Sequence, residues 1–126
     1  MTPHFLTVED VLKIHARGID AYGGPSGIKD MGALESAVMA PQNHFFYTGG
    51  DLFDLAGVLL WHLVRDHGFI DGNKRVALGS ALVFLRVNGV SFKQDDDFFE
   101  HLTLQAADGT YDKNMVADLL RLQSTH

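Results

Sequence analysis

The chain contains no cysteine. That excludes a disulfide framework, a thiolate metal site and a thiol nucleophile, although histidines and carboxylates remain able to hold zinc. A surplus of positive charge is also missing. The formal net charge is −6 and the isoelectric point about 5.5. Such a surface repels phosphate backbones on average, so direct nucleic-acid binding is not expected, while a local basic pocket for a small phosphate ligand stays open. There is no long uncharged apolar stretch of the kind that spans a membrane. The start, MTPHFLTVED, has no basic segment leading into an apolar run, so no signal peptide is visible and a cytoplasmic address is the expectation. Repeats, linkers and low-complexity segments are absent as well. What is there is ordinary for a globular protein: 126 residues, 46% hydrophobic and 21% charged. This predicts one domain over residues 1–126, long enough to bury a core.

The pattern along the chain is helical. Thr7 can cap a first helix, with Asp10 in a capping-box position. Val8, Val11, Leu12, His15 and Ile19 recur at helical spacing until Gly23-Gly24-Pro25. Asp30 can cap a short second helix through Leu34, Ala37 and Val38, with Pro41 just beyond its end and an aromatic loop, Asn43 to Tyr47, after it. Asp51 caps a third helix to about Arg65. That helix is apolar nearly all round and should be buried on most sides. Val76 to Val87 has the same character and ends at Asn88-Gly89. Val90 to Phe92 is briefly extended. Asp95-Asp96-Asp97 starts another helix, and a last one runs from Asp112 to about Gln123. The expected fold class is all-α, a compact helical bundle with at most a very short β-hairpin.

The connection between the two apolar helices is the unusual place. His67-Gly68-Phe69-Ile70-Asp71-Gly72-Asn73-Lys74-Arg75 puts an imidazole, a carboxylate, an amide, an ammonium and a guanidinium beside a core, where polar groups must be paired or used. Gly72 frees the backbone before a helix start. The first N–H groups of that helix, from about Asn73, have no intrahelical partner and with the helix dipole form an anion cradle. Lys74 and Arg75 oppose the dipole there, which helix stability does not explain and a bound polyphosphate does. Asp71 beside the cradle can hold Mg²⁺ bridging phosphate oxygens. His67 can take a proton from an attacking hydroxyl. Phe69 would pin the loop into the core.

These nine residues match H-x-F-x-(D/E)-(G/A)-N-(G/K)-R at every specified position, and the chain resembles the Fic/Doc family. Tyr22-Gly23-Gly24 with Gly27, Asp30 and Glu35, and the run Ala81 to Gly89, resemble its death-on-curing branch. The resemblance implies a Fic/Doc helical bundle with His67 as general base, Asp71 as Mg²⁺ ligand, and Gly72, Asn73, Lys74 and Arg75 as the phosphate-binding set for ATP. Gly68 stands where many members have proline. Lys74 stands where members that transfer AMP have glycine. In the death-on-curing branch this lysine accompanies transfer of the terminal phosphate of ATP to a protein hydroxyl, the target class being a translation elongation factor of the Tu type. None of Glu9, Glu35 and Glu100 sits in the family's inhibitory motif, so the resemblance implies a toxin restrained by a separate antitoxin protein.

Other readings stand beside this one. AMP transfer is the second. A catalytically silent module that binds a nucleotide or a partner is the third, opposed by the intact His67 and Asp71. A metal-dependent phosphohydrolase using His62, Asp66 and His67 is weaker, because His62 and His67 are five apart and face different ways. Asp71 or Asn73 could each be a plain helix cap. His15, His44 and His101 read as ordinary surface or core residues. Phe45, Phe46 and Tyr47 are either core or, as the resemblance implies, a flap that docks the target.

Overall fold

The computed structural model describes residues 2–125. Among them are six helices: α1 (Val8–Tyr22), α2 (Met31–Thr48), α3 (Leu52–Asp66), α4 (Asn73–Val87), α5 (Asp96–Ala107) and α6 (Lys113–Gln123). Two short strands, β1 (Ser91–Phe92) and β2 (Ser124–Thr125), complete the secondary structure. The all-α expectation holds. Each expected N-cap is made. Thr7 and Asp51 form capping boxes with Asp10 and Asp54, and Asp30, Asp95 and Asp112 each accept from the backbone of the first turn.

α3 is the central element. Eight of its residues, from Leu55 to Val64, are buried, and it packs against α2, α4, α5 and α6. Its all-round apolar character is therefore satisfied on several sides at once. α6 comes close at Gly57, where a β-carbon would lie 2.9 Å from the Lys113 carbonyl oxygen. Only glycine allows the two backbones that distance. At the other end of this contact Arg121 reaches from α6 to Asp51 at 3.0 Å and Asp54 at 3.2 Å. α4 runs beside α3, with Val76, Ala77, Ala81, Phe84 and Leu85 in the shared core.

Two expectations about elements need correction. α2 does not stop before Pro41 but runs seven residues past it to Thr48, with the proline inside. Proline removes one helical hydrogen bond, to the carbonyl four residues back, and here the ring is buried in the core. The turns beyond it are held by packing: the Phe45 ring lies tilted against Phe5, centroids 5.9 Å apart, and Gly49 closes the helix with a positive φ. Tertiary contact outweighs the local break. The residues Asn43 to Tyr47 are thus the end of a helix, not a loop. Phe45 is partly buried and packs against the core, whereas Phe46 and Tyr47 are 63% and 90% exposed.

The strands stay within the expected limit of one very short pair, but the pair is not a local hairpin. β1 pairs with β2 antiparallel, Ser91 opposite Thr125 and Phe92 opposite Ser124. All of α5 and α6 lies between the partners. The pair fastens the end of the chain to the exit of α4. The opposite end of the chain is fastened nearby: the Asn88 side chain accepts from the His4 N–H and donates to the His4 carbonyl.

Candidate active site

α3 ends on His67, which adopts φ 51 and ψ 53. It is the only non-glycine residue with positive φ among those described. A helix commonly ends on a left-handed residue, usually glycine. A larger residue there costs roughly 1 kcal/mol or more, so the imidazole occupies this position against local preference. Its side chain is exposed and turned into a cavity.

The loop that follows is clamped from three directions. Segment 27–30 runs antiparallel beside it: Lys29 and Asp30 donate to the Gly68 carbonyl at 2.8 and 3.1 Å, and Ile70 donates to that of Gly27 at 3.2 Å. Gly68 is buried under α2, where a β-carbon would come within 3.0 Å of Leu34 Cβ. That closeness accounts for a small residue and keeps the loop fixed without a proline. The second clamp is Asn73. Its Oδ1 accepts from the Phe69 N–H at 3.1 Å and its Nδ2 donates to the Phe69 carbonyl at 3.0 Å. The third is His15 of α1, whose Nε2 lies 2.8 Å from the Asp71 carbonyl oxygen. His15 also stacks flat on Phe69, centroids 3.8 Å apart. Phe69 is 2% exposed and anchors the loop as expected.

α4 opens on Gly72, left-handed at φ 81, and no side chain caps it. Neither Asp71 nor Asn73 is a plain cap. The first backbone bond of this helix is from Val76 to Gly72, which leaves the N–H groups of Asn73, Lys74 and Arg75 in the unpaired first turn. Among the described residues the Asp71 carboxylate and the side chains of His67 and Lys74 have no hydrogen-bond or ion-pair partner. Arg75 lies over the Tyr22 ring at 4.5 Å and pairs with no carboxylate. In a chain with 16 acidic residues and 10 basic ones, unpaired cations at a positive helix end are a costly arrangement. They suit an anionic ligand.

One cavity of about 630 Å³ gathers these groups. His67, Asp71, Gly72, Asn73, Lys74 and Arg75 all line it. Leu78, Leu82 and Phe99 form an apolar extension between α4 and α5. The Asn73 side chain is held by Phe69, and its backbone N–H is left for a ligand. The loop after α1 also reaches the site: a β-carbon on Gly24 would lie 2.5 Å from Asp71 Oδ2, so a bare backbone faces the carboxylate. A single carboxylate beside a phosphate cradle fits Mg²⁺, which keeps several waters and takes few protein ligands.

His62 is elsewhere. It does not line the cavity, and its Nδ1 pairs with Asp66 at 3.4 Å. Burial pushes its pKa below the ordinary value, Lys113 adds to this, and Asp66 opposes it. No group of three or more His, Cys, Asp or Glu suited to a metal occurs among the described residues. The phosphohydrolase arrangement is not assembled. The aromatic pair Phe46 and Tyr47 is not among the cavity residues either; the segment alongside the motif is 27–30. Sequence reasoning missed His15. Its signal was available, as an imidazole on the apolar face of α1 among Val8, Val11, Leu12 and Ile19.

Comparison with known proteins agrees with this geometry. The profile of the Fic/DOC family matches residues 5–85. The chain is 38% identical over 117 residues to "Protein kinase doc" of Escherichia phage P1, covering 92% of each protein. It is 41% identical over 97 residues to "Toxin Doc" of Mycolicibacterium smegmatis, covering 74% of this chain and 71% of that one. The motif, the helices that carry it and the extent of these matches together place the chain in the Fic/Doc family.

Proposed function

We propose that this chain is a toxin of a toxin–antitoxin pair, built as a single Fic/Doc domain over residues 1–126, that transfers phosphate from ATP to a hydroxyl of a protein target. The observation that carries the reading is the convergence of unpaired His67, Asp71, Lys74 and Arg75 on one cavity at the uncapped start of α4. The names of the two relatives, a protein kinase and a toxin, support it.

In this reading the triphosphate lies across the first N–H groups of α4, with Lys74 and Arg75 balancing its charge. Asp71 would hold Mg²⁺, which neutralises phosphate charge when bound. His67 accepts the proton of the target hydroxyl as its oxygen bonds to the terminal phosphorus; the bond to the bridging oxygen breaks and ADP leaves. Positioning and charge stabilisation supply most of the rate in such a transfer. The fixed loop provides the first and the helix end the second. The target class is a translation elongation factor of the Tu type, and modification would stop translation. A separate antitoxin would restrain the enzyme.

AMP transfer differs only in which phosphorus faces the hydroxyl. Lys74, exposed and unpaired at the cradle, occupies the space a glycine would leave for the diphosphate, and favours the reversed nucleotide. Incubation of candidate targets with ATP and Mg²⁺, followed by intact mass measurement, tests the reading. A phosphate addition is expected; an AMP addition, several times heavier, would overturn the kinase assignment. Lys74→Gly is expected to shift the product toward AMP or to lower phosphate transfer sharply.

A further inference from the structure

We infer that His15 is a positioning residue for the transfer reaction, acting through the backbone of the motif loop. The inference rests on the roles proposed above for Asp71 and the start of α4. His15 is 6% exposed, one of three buried polar or charged side chains among the described residues. It touches three motif residues at once. Nε2 lies 2.8 Å from the Asp71 carbonyl oxygen. The ring lies parallel to Phe69, 8° apart in plane. A β-carbon on Gly72 would sit 3.4 Å from Nε2, so the imidazole also closes on the residue that opens α4.

Packing alone does not call for an imidazole here. A phenyl ring could stack on Phe69 equally well, and burying a polar ring is unfavourable unless it is hydrogen-bonded. What the imidazole adds is a donor. A carbonyl oxygen only accepts, so the proton of this bond belongs to His15 Nε2, and the partner fixes the tautomer. The bond sets the direction of the peptide between Asp71 and Gly72. That peptide carries the carboxylate on one side and the left-handed turn into α4 on the other. His15 thereby aligns the cation ligand with the phosphate cradle without touching the substrate.

Two variants separate the donor from the ring. His15→Phe keeps a flat ring on Phe69 and removes the N–H. His15→Gln returns an amide N–H at similar reach. Histidine-labelled wild-type protein examined by ¹⁵N NMR should carry the His15 proton on Nε2. His15→Phe should lower kcat by about tenfold or more, since a small misplacement near the chemistry is enough for that, with KM for the target little changed. It should also bind ATP with Mg²⁺ more weakly by calorimetry, and His15→Gln should recover most of both losses. Wild-type kcat in His15→Phe, a bare Nε2, or equal losses in the two variants would each overturn the proposal. If the wild type transfers no phosphate, the kinase reading fails on its own. His15 is then judged by the NMR tautomer and by the order of Mg²⁺–ATP affinities. If His15→Phe does not fold, the tautomer and the behaviour of His15→Gln decide.

Discussion

At the scale of the residue, the site is a set of polar groups whose ordinary partners are withheld. Asp71 and Lys74 are close in sequence, yet neither is paired with the other or with any described neighbour. Substitutions can separate chemistry from architecture here because the two are carried by different residues. His67→Ala should reduce transfer by on the order of 10²–10⁴, the usual range for loss of a general base. Alanine also sits poorly at φ 51, so His67→Gly serves as a control that relieves the backbone. Both variants should lose activity alike in a transfer assay, and glycine should melt higher; recovery of turnover in the glycine variant would show that strain, not the imidazole, was being measured. Asp71→Asn should weaken Mg²⁺-dependent nucleotide binding with little change in melting temperature, because no described group depends on the carboxylate. Calorimetry with and without Mg²⁺ reads this, and an unchanged Mg²⁺ dependence would count against the metal role. The motif was legible as residues because each of its polar types needs a reason beside a core. The division of labour within it was not: the Asn73 side chain locks Phe69, a contact between residues four apart that depends on loop conformation. His15 was harder still, since its partner lies 56 residues away.

At the scale of the element, capping residues and periodicity told where α1, α3, α5 and α6 lie, because those signals are local and each cap found its own backbone partner, while α4 was announced by its apolar run and by the glycine before it. α2 is the exception, and it shows which force the sequence conceals. The local rule breaks a helix at proline; the packing of Pro41 into the core and of Phe45 against it overrides that rule. Pro41→Ala tests the balance. Restoring the missing bond and removing ring strain is worth up to about 3 kcal/mol in a helix interior. Loss of two buried methylenes costs about 1.6 kcal/mol. A net stabilisation of roughly 1 kcal/mol is expected, a rise of a few degrees in melting temperature for a domain of this size. A fall instead would mean that the core needs the ring at this place more than the helix needs the bond. The extended piece at Val90 to Phe92 was legible, but its pairing with Ser124 and Thr125 was hidden, because two helices separate the partners.

At the scale of the whole molecule, charge is divided unevenly. The chain carries a formal net charge of −6, yet the entrance to α4 presents Lys74 and Arg75 with no carboxylate paired to either. The cavity as a whole is mixed in charge, since Asp71, Asp96 and Glu100 line it too, and its two cations are gathered at the helix end. No helix among the described residues is long and apolar enough to cross a membrane. Nor do Glu9, Glu35 and Glu100 form an inhibitory motif of the chain's own. Glu100 does line the cavity, but from α5 at its far side and without a bond to Arg75. In the proposed reading, restraint comes from a separate antitoxin protein. Expression of the chain alone should therefore arrest growth and protein synthesis. Co-expression of a small partner protein encoded beside it should restore both. The control is His67→Ala, expressed to the same level. It should be harmless while still binding the partner, since the imidazole is proposed for the chemistry and not for the fold. Toxicity that survives in His67→Ala would mean that the harm comes from binding and not from transfer. Harmless accumulation of the wild-type chain at high level would remove the toxin reading altogether.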